Sequence, residues 1–132
     1  MGSFGTEPVR RPGAAVTVEI DWDAPEAYVA IEMFKRFELV LEADERVRLE
    51  DAAYYGVEFA LEQLSSLPCA VRVVDVDADW SSVNPTVIAA AAAHAVWQAF
   101  GWAPPADLAK RIDDEVAWSR HMTRDYVGTF DA

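Results

Sequence analysis

Residues 70–100 read AVRVVDVDADWSSVNPTVIAAAAAHAVWQAF and contain the clearest pair of structural elements in the chain. The first part, 70–77, is rich in valine that alternates with polar residues, which predicts a strand. Asn84 and Pro85 are a favoured N-cap and a favoured first helical residue, so they predict the start of a helix. The alanine-rich residues that follow, up to Phe100, are apolar on nearly every face. We therefore expect this helix to be buried against a sheet.

Upstream of this pair, the apolar pattern changes period. Residues 49–65 carry apolar side chains at helical spacing, which predicts a second helix that ends before Pro68. Three alternating runs precede it and predict three antiparallel strands within residues 15–42. The runs are Val16 to Trp22, Tyr28 to Phe34, and Phe37 to Leu41.

Downstream, Gly101 should end the alanine helix, and a last helix should follow the two prolines at 104 and 105. This added C-terminal helix, 105–126, has an apolar stripe of Leu108, Ile112, Val116 and Met122. At the other end, residues 1–14 are rich in glycine and proline, and we interpret them as a flexible leader before a single domain of residues 15–132. The predicted fold class is α+β: a four-stranded, mostly antiparallel sheet with helices on one face, in the order β-β-β-α-β-α, plus the extra helix.

Composition limits the function. The 132 residues contain 11 Lys and Arg against 23 Asp and Glu, a net charge of -12. Such a chain repels polyanions, so we expect neither nucleic acid nor an anionic membrane as a partner. There is no apolar run of about 18 residues and no signal-peptide pattern, and one lone cysteine, Cys69, is present. These features predict a cytoplasmic protein.

The segment from Gly56 to the alanine helix resembles domain IV of the translational GTPase elongation factor G. The residues that carry the resemblance are Gly56-Val57-Glu58, Ala60-Leu61, Leu67-Pro68, Val71-Arg72-Val73, the loop from Asp77 to Thr86, and the small residues Ala89 and Ala95. Within the loop, Asp77, Trp80, Val83 and Asn84 stand at the family's Asp, Tyr, Val and helix-capping Asp. Tyr28-Val29-Ala30-Ile31-Glu32 is similar to the family's "His-Val-Val-Ile" strand, and the resemblance covers residues 15–100. It implies the ribosomal protein S5 domain 2 fold, which contains a left-handed β-α-β crossover.

The departures from that family argue against its function. The family's glycine-rich basic loop between the first two strands is replaced by Asp23-Ala24-Pro25-Glu26-Ala27. Ser81 stands where the family's tip loop has a histidine, Ala78 replaces a glycine, and Asp79 adds negative charge. No phosphate-binding loop of the Gly-x-x-x-x-Gly-Lys-Ser/Thr type is present, so the chain lacks a GTPase site. The chain thus resembles a stand-alone domain IV without the features that meet RNA.

Few residues suggest chemistry. His94 lies in the alanine helix and is a weak candidate for a general acid or base; the alternative is a histidine at the edge of the core. Asp75, Asp77 and Asp79 alternate at the end of a strand, and Asp77 and Asp79 are the other weak catalytic candidates. Three such carboxylates could share a cation, but no calcium-loop pattern surrounds them, so we predict no metal site. We also expect no cofactor.

Two tryptophans are hard to place in a core. Trp80 lies in a loop and Trp102 lies between Gly101 and the prolines, so both, together with Ser81, are candidate contacts for a ligand or partner. The alternative is that the C-terminal helix covers them.

Three function classes remain open. The first is a protein-interaction or assembly module that binds an unknown protein partner or self-associates. The second is a small enzyme or ligand-binding protein of specialised metabolism, with a small molecule in a pocket between the sheet and the C-terminal helix. The third, a ribosome-associated factor, is disfavoured by the charge.

Overall fold

A computed structural model describes residues 3–5, 9–11, 14–23, 26, 28–32, 43–64, 70–78, 83–122 and 128–130. The strands among them are β1 (Ser3–Gly5), β2 (Val9–Arg11), β3 (Ala14–Asp21), β4 (Tyr28–Ile31) and β5 (Ala70–Ala78). The helices among them are α1 (Ala43–Leu64), α2 (Pro85–Ala99) and α3 (Ala106–Ser119). The chain is therefore α+β, as its sequence predicts. The third run of the predicted sheet, Phe37 to Leu41, lies outside the described residues.

The sheet is mixed. β3 pairs antiparallel with β5 along its whole length, with a bulge between Thr17 and Val18, and β4 pairs with the other edge of β5 in parallel. The strand order is β1-β3-β5-β4, so β3 and β4 are not neighbours. Two of the three antiparallel strands expected within residues 15–42 are present as β3 and β4, but they lie on opposite edges of β5 and do not pair with each other. A parallel pair needs a crossover of a dozen or more residues, and the connection through α1 supplies it.

The expected leader contributes to the sheet. Ser3–Gly5 pairs antiparallel with residues 19–21 of β3, and Val9–Arg11 pairs antiparallel with residues 14–16. The abundance of glycine and proline in residues 1–14 favoured an irregular segment. Strands of three residues are too short to show an alternating pattern, so the sequence carries no signal for them.

The core lies between the sheet and the helices. Val16, Val18 and Ile20 of β3 point toward α2 and are fully buried, as the alternating pattern predicts. Val71, Val73 and Val76 of β5 are buried beside them. The two large helices pack against each other, and at their crossing Gly56 of α1 lies against the backbone of Ala89 in α2. The small residues of both helices allow this close approach.

The helix predicted from Leu49 in fact begins at Ala43. Asp44 and Glu45 occupy its first turn, where the helix dipole favours negative charge. Residues 43–48 are exposed or only partly buried, and Val47 is among the exposed ones. An apolar stripe appears only where a helix contacts the core, so the pattern could not mark this first turn and a half.

Both ends of α2 follow the prediction. The side chain of Asn84 accepts a hydrogen bond of 2.9 Å from the backbone N–H of Val87, and Pro85 is the first helical residue. At the other end Gly101 has a φ of 68°, in the left-handed region. The N–H of Gly101 donates to the Gln98 carbonyl and the N–H of Trp102 to the Trp97 carbonyl, which is a Schellman motif.

The added helix α3 packs against α2. Leu108 and Ile112 are buried as its stripe predicts, and Val116 packs on the core. Met122 departs from the prediction, because α3 ends at Ser119 and the Met122 side chain is 42% exposed. Residues 123–126 of the predicted helix lie outside the described residues. Further along, residues 128–130 return to the core, and Phe130 is buried.

Candidate interaction surface

The sheet has two unequal faces. α1 contacts β4 and α2 contacts β2 and β3, so the described helices lie on one face. On the opposite face, the outer face, the side chains of Thr17, Glu19 and Asp21 are only partly buried. Ala14 and Ala15 are both buried, so the accessible part of this face begins at Thr17.

Register places three charged side chains together on the outer face. Glu19 of β3 and Ala30 of β4 are the cross-strand neighbours of Arg72 in β5. The Arg72 Nη2 donates a hydrogen bond to Glu19 Oε1, and its Nε lies 3.9 Å from Glu32 Oε2. The hydrogen bond and charge of Glu19, and then the charge of Glu32, raise the pKa of Arg72 above its ordinary value. Arg72 is thus a cation already engaged by two carboxylates.

The other described residues of the outer face are mostly acidic and include an exposed aromatic ring. Asp75 and Asp77 lie opposite Thr17 and Ala15, on the same face as Arg72. Tyr28 is on this face too, by its register with Ala70, and is 47% exposed. The face therefore offers a phenol ring, one paired guanidinium and several carboxylates. Such a surface suits contact with a macromolecule that carries positive charge.

The candidate acid or base His94 lies in a different place. Its ring stands edge-on to the Trp97 ring, with centroids 5.2 Å apart, and its Nε2 atom is buried. Both residues belong to α2, on the helical side of the sheet. The structure therefore separates His94 from Asp77, which is exposed on the outer face. These two candidates do not form one site.

Trp102 packs within the domain. Its ring centroid is 5.3 Å from that of the buried Trp97, and its side chain is partly buried against the core. Trp97 in turn donates from Nε1 to the carbonyl oxygen of Ala60 in α1, at 3.1 Å. The other predicted contacts, Trp80 and Ser81, and the candidate Asp79 lie outside the described residues.

The charged residues of the outer face were missed as a group. Glu19 and Glu32 appeared in the sequence as the polar members of alternating strands, and Arg72 as part of a family-like motif. Only the register of β3 and β4 on β5 brings the three together. Among the described residues, no group of three His, Cys, Asp or Glu side chains could hold a metal ion.

No family model, curated protein or solved structure matches this chain. Within the described part of the chain, no helix is both long enough and apolar enough to cross a membrane.

Proposed function

We propose that this chain is a protein-interaction or assembly module without GTPase activity, and that the outer face of its sheet is the contact surface. The observation that carries the proposal is the one-sided packing of the described helices. Antiparallel sheets commonly pack one face on the core and leave the other face solvated, so the described part of the outer face needs no further layer for folding. Two of the candidate catalytic residues, His94 and Asp77, lie on different sides of the sheet and do not form one site.

The charge of the outer face favours a basic protein partner over a second copy. Glu19 and Glu32 already surround Arg72, and Asp21, Asp75 and Asp77 add further carboxylates. Two copies meeting through this face would bring like charges together, which costs free energy. A partner that presents lysine or arginine around a site for Tyr28 would instead be attracted to these carboxylates. Self-association through the same face is the second form of the proposal, and high salt would favour it.

Two variants of equal charge test this surface. The first, Glu19→Gln with Glu32→Gln, removes two negative charges from the outer face, and the second, Asp51→Asn with Glu62→Gln, removes two from exposed positions of α1. The probe is a synthetic peptide rich in lysine and arginine, titrated at low salt and followed by calorimetry. We expect the outer-face variant to bind about tenfold more weakly than the α1 variant. Equal weakening by both variants would mean that only net charge matters and would overturn the proposed surface.

For the fold, we propose the S5 domain 2 type, as the resemblance to elongation factor G domain IV implies. Its support is the unit β4-α1-β5, in which two parallel neighbouring strands are joined through a helix. A β-α-β crossover of this kind is part of the fold that the resemblance implies. We also propose a cytoplasmic location, on the basis of the lone cysteine and of the sequence features described above.

The other two function classes are weaker alternatives. A small enzyme would need a pocket between the sheet and the C-terminal helix, whereas α3 packs against α2. A ribosome-associated factor would need a basic surface, and the outer face is acidic.

A further inference from the structure

The segment 128–130 lies against both large helices. The Phe130 ring centroid is 5.4 Å from that of Phe59 and 5.7 Å from that of Tyr55, both in α1. Its side chain is 1% exposed, so the ring fills a site that the helices leave open. We call this site, formed by Tyr55, Phe59 and Thr86, the aromatic socket.

The hydrogen bonds of the segment are those of a bound peptide. The N–H of Gly128 donates to Thr86 Oγ1 and the N–H of Phe130 donates to Tyr55 OH, each at 2.9 Å. Both acceptors are side-chain hydroxyls, so neither bond belongs to a helix or strand ladder. The socket thus recognises two backbone donors, two residues apart in the chain, and one aromatic side chain. This pattern is typical of peptide recognition, in which main-chain bonds give affinity and a pocket gives specificity.

Position 128 adds a requirement for a small residue. A Cβ atom there would lie 2.7 Å from Cγ and 2.8 Å from Cδ of Glu115 in α3. The Thr86 side chain, which accepts the Gly128 N–H, is fully buried in the first turn of α2. If the segment left, that hydroxyl would lose a bonding partner that another peptide N–H could replace.

We propose that residues 128–130 form a built-in clasp that occupies the socket in the free protein and opens independently of the rest of the fold. The ligand that the open socket takes is a segment of the same chemistry: an extended peptide with a small residue followed, two positions later, by an aromatic one. When the clasp is open, the socket binds residues 128–130 of a second copy of this chain. This site is separate from the outer face, and the proposal does not rest on the proposed function.

Amide hydrogen exchange on the native, full chain tests the opening. We expect the amides of Gly128 and Phe130 to exchange about a hundredfold faster than the buried amides of α2, at a rate that low denaturant leaves unchanged. Exchange of these two amides only together with the α2 amides would show that the segment opens only on global unfolding, and the proposal would be wrong.

Peptide binding tests the ligand class. In the full chain, Phe130→Ala empties the socket of its aromatic ring. A synthetic peptide with the sequence of residues 123–132 is then added, and binding is followed by tryptophan fluorescence. This signal should report on the socket because the ring centroids of Phe59 and Trp97 are 6.2 Å apart. We expect saturable binding that is lost when the peptide carries alanine in place of its phenylalanine. Thr86→Val, which removes one acceptor at nearly constant shape, should weaken binding about tenfold. If Phe130→Ala does not fold, Phe130→Leu replaces it. Absence of binding by a folded variant, or equal binding of both peptides, overturns the proposal.

Discussion

Asn84 joins two helices through one side chain. Its Oδ1 accepts the N–H of Val87 at the start of α2, and its Nδ2 donates to Ser119 Oγ at the end of α3, at 3.1 Å. Both Asn84 and Ser119 are buried. Ser119 Oγ is also 2.7 Å from the carbonyl oxygen of Val116, to which it donates. The N-cap predicted from sequence thus also forms a buried hydrogen bond that connects the start of α2 to the end of α3.

Asn84→Ala should therefore destabilise the protein by more than the loss of a surface N-cap would. Loss of the cap costs about 1 kcal/mol, and loss of the buried bond to Ser119 adds about 1 kcal/mol. Ser119→Ala is the matched control, because it keeps the cap, and it should cost about half as much. Urea denaturation of both variants measures the difference. An Asn84→Ala protein that unfolds at the same urea concentration as the parent would show that α2 is not capped here.

Gly56 and Gly128 should respond differently to the same substitution. A Cβ on Gly56 would meet the carbonyl oxygen of Ala89 and lie 2.9 Å from its carbonyl carbon, so the backbones of α1 and α2 must separate. We expect Gly56→Ala to cost about 1–3 kcal/mol, as overpacking does. The three atoms nearest to a Cβ on Gly128 belong to the Glu115 side chain rather than to the backbone, so Gly128→Ala should cost less than Gly56→Ala. Thermal melting of the two variants compares them, and equal melting temperatures would contradict the close helix contact.

Helix α3 belongs to this domain, and its buried residues should show it. Ile112 is fully buried, so Ile112→Ala should destabilise by about 2–5 kcal/mol. Met122, from the same predicted stripe, is exposed, and Met122→Ala should change stability by less than about 0.5 kcal/mol. Denaturant titration at low protein concentration is the measurement. A neutral Ile112→Ala would mean that the stripe of α3 is not packed on its own domain.

Elements with a buried face were predictable from the sequence, and elements without one were not. The strand at 70–77 and the helix from Pro85 to Phe100 are confirmed within one residue, because their apolar patterns and caps are local. The exposed start of α1 and the three-residue strands β1 and β2 have no such pattern. The parallel pairing of β4 with β5 is a property of the whole chain, which alternation within one strand cannot encode.

The residues of the candidate surface were also predictable only in part from the sequence. The sequence placed Glu19 on the polar side of a strand, but its contact with Arg72 connects residues 53 positions apart. Such contacts depend on register, which the sequence pattern leaves open. His94 was correctly assigned to the alanine helix, yet its distance from Asp77 follows only from the layer to which each belongs.

The charge of the whole molecule predicts its behaviour toward RNA. With a net charge of -12, the chain should not bind ribosomes or ribosomal RNA fragments at physiological salt. Co-sedimentation with ribosomes is the measurement, and a basic RNA-binding domain of similar size is the positive control. A salt-sensitive complex of micromolar affinity would show that a local basic patch outweighs the net charge.

The contact surface itself can be located by hydroxyl-radical footprinting, because each rival surface carries reactive side chains. Tyr28 is on the outer face, whereas Trp118 and Met122, 55% and 42% exposed, lie at the end of α3. Labelling is compared between the free chain, the chain with the basic peptide bound, and the chain at high concentration and high salt. We predict that Tyr28 is protected in the bound or associated state while Trp118 and Met122 are labelled as before. Protection of Trp118 and Met122 with Tyr28 unchanged would identify α3 as the contact surface and contradict the assignment to the sheet.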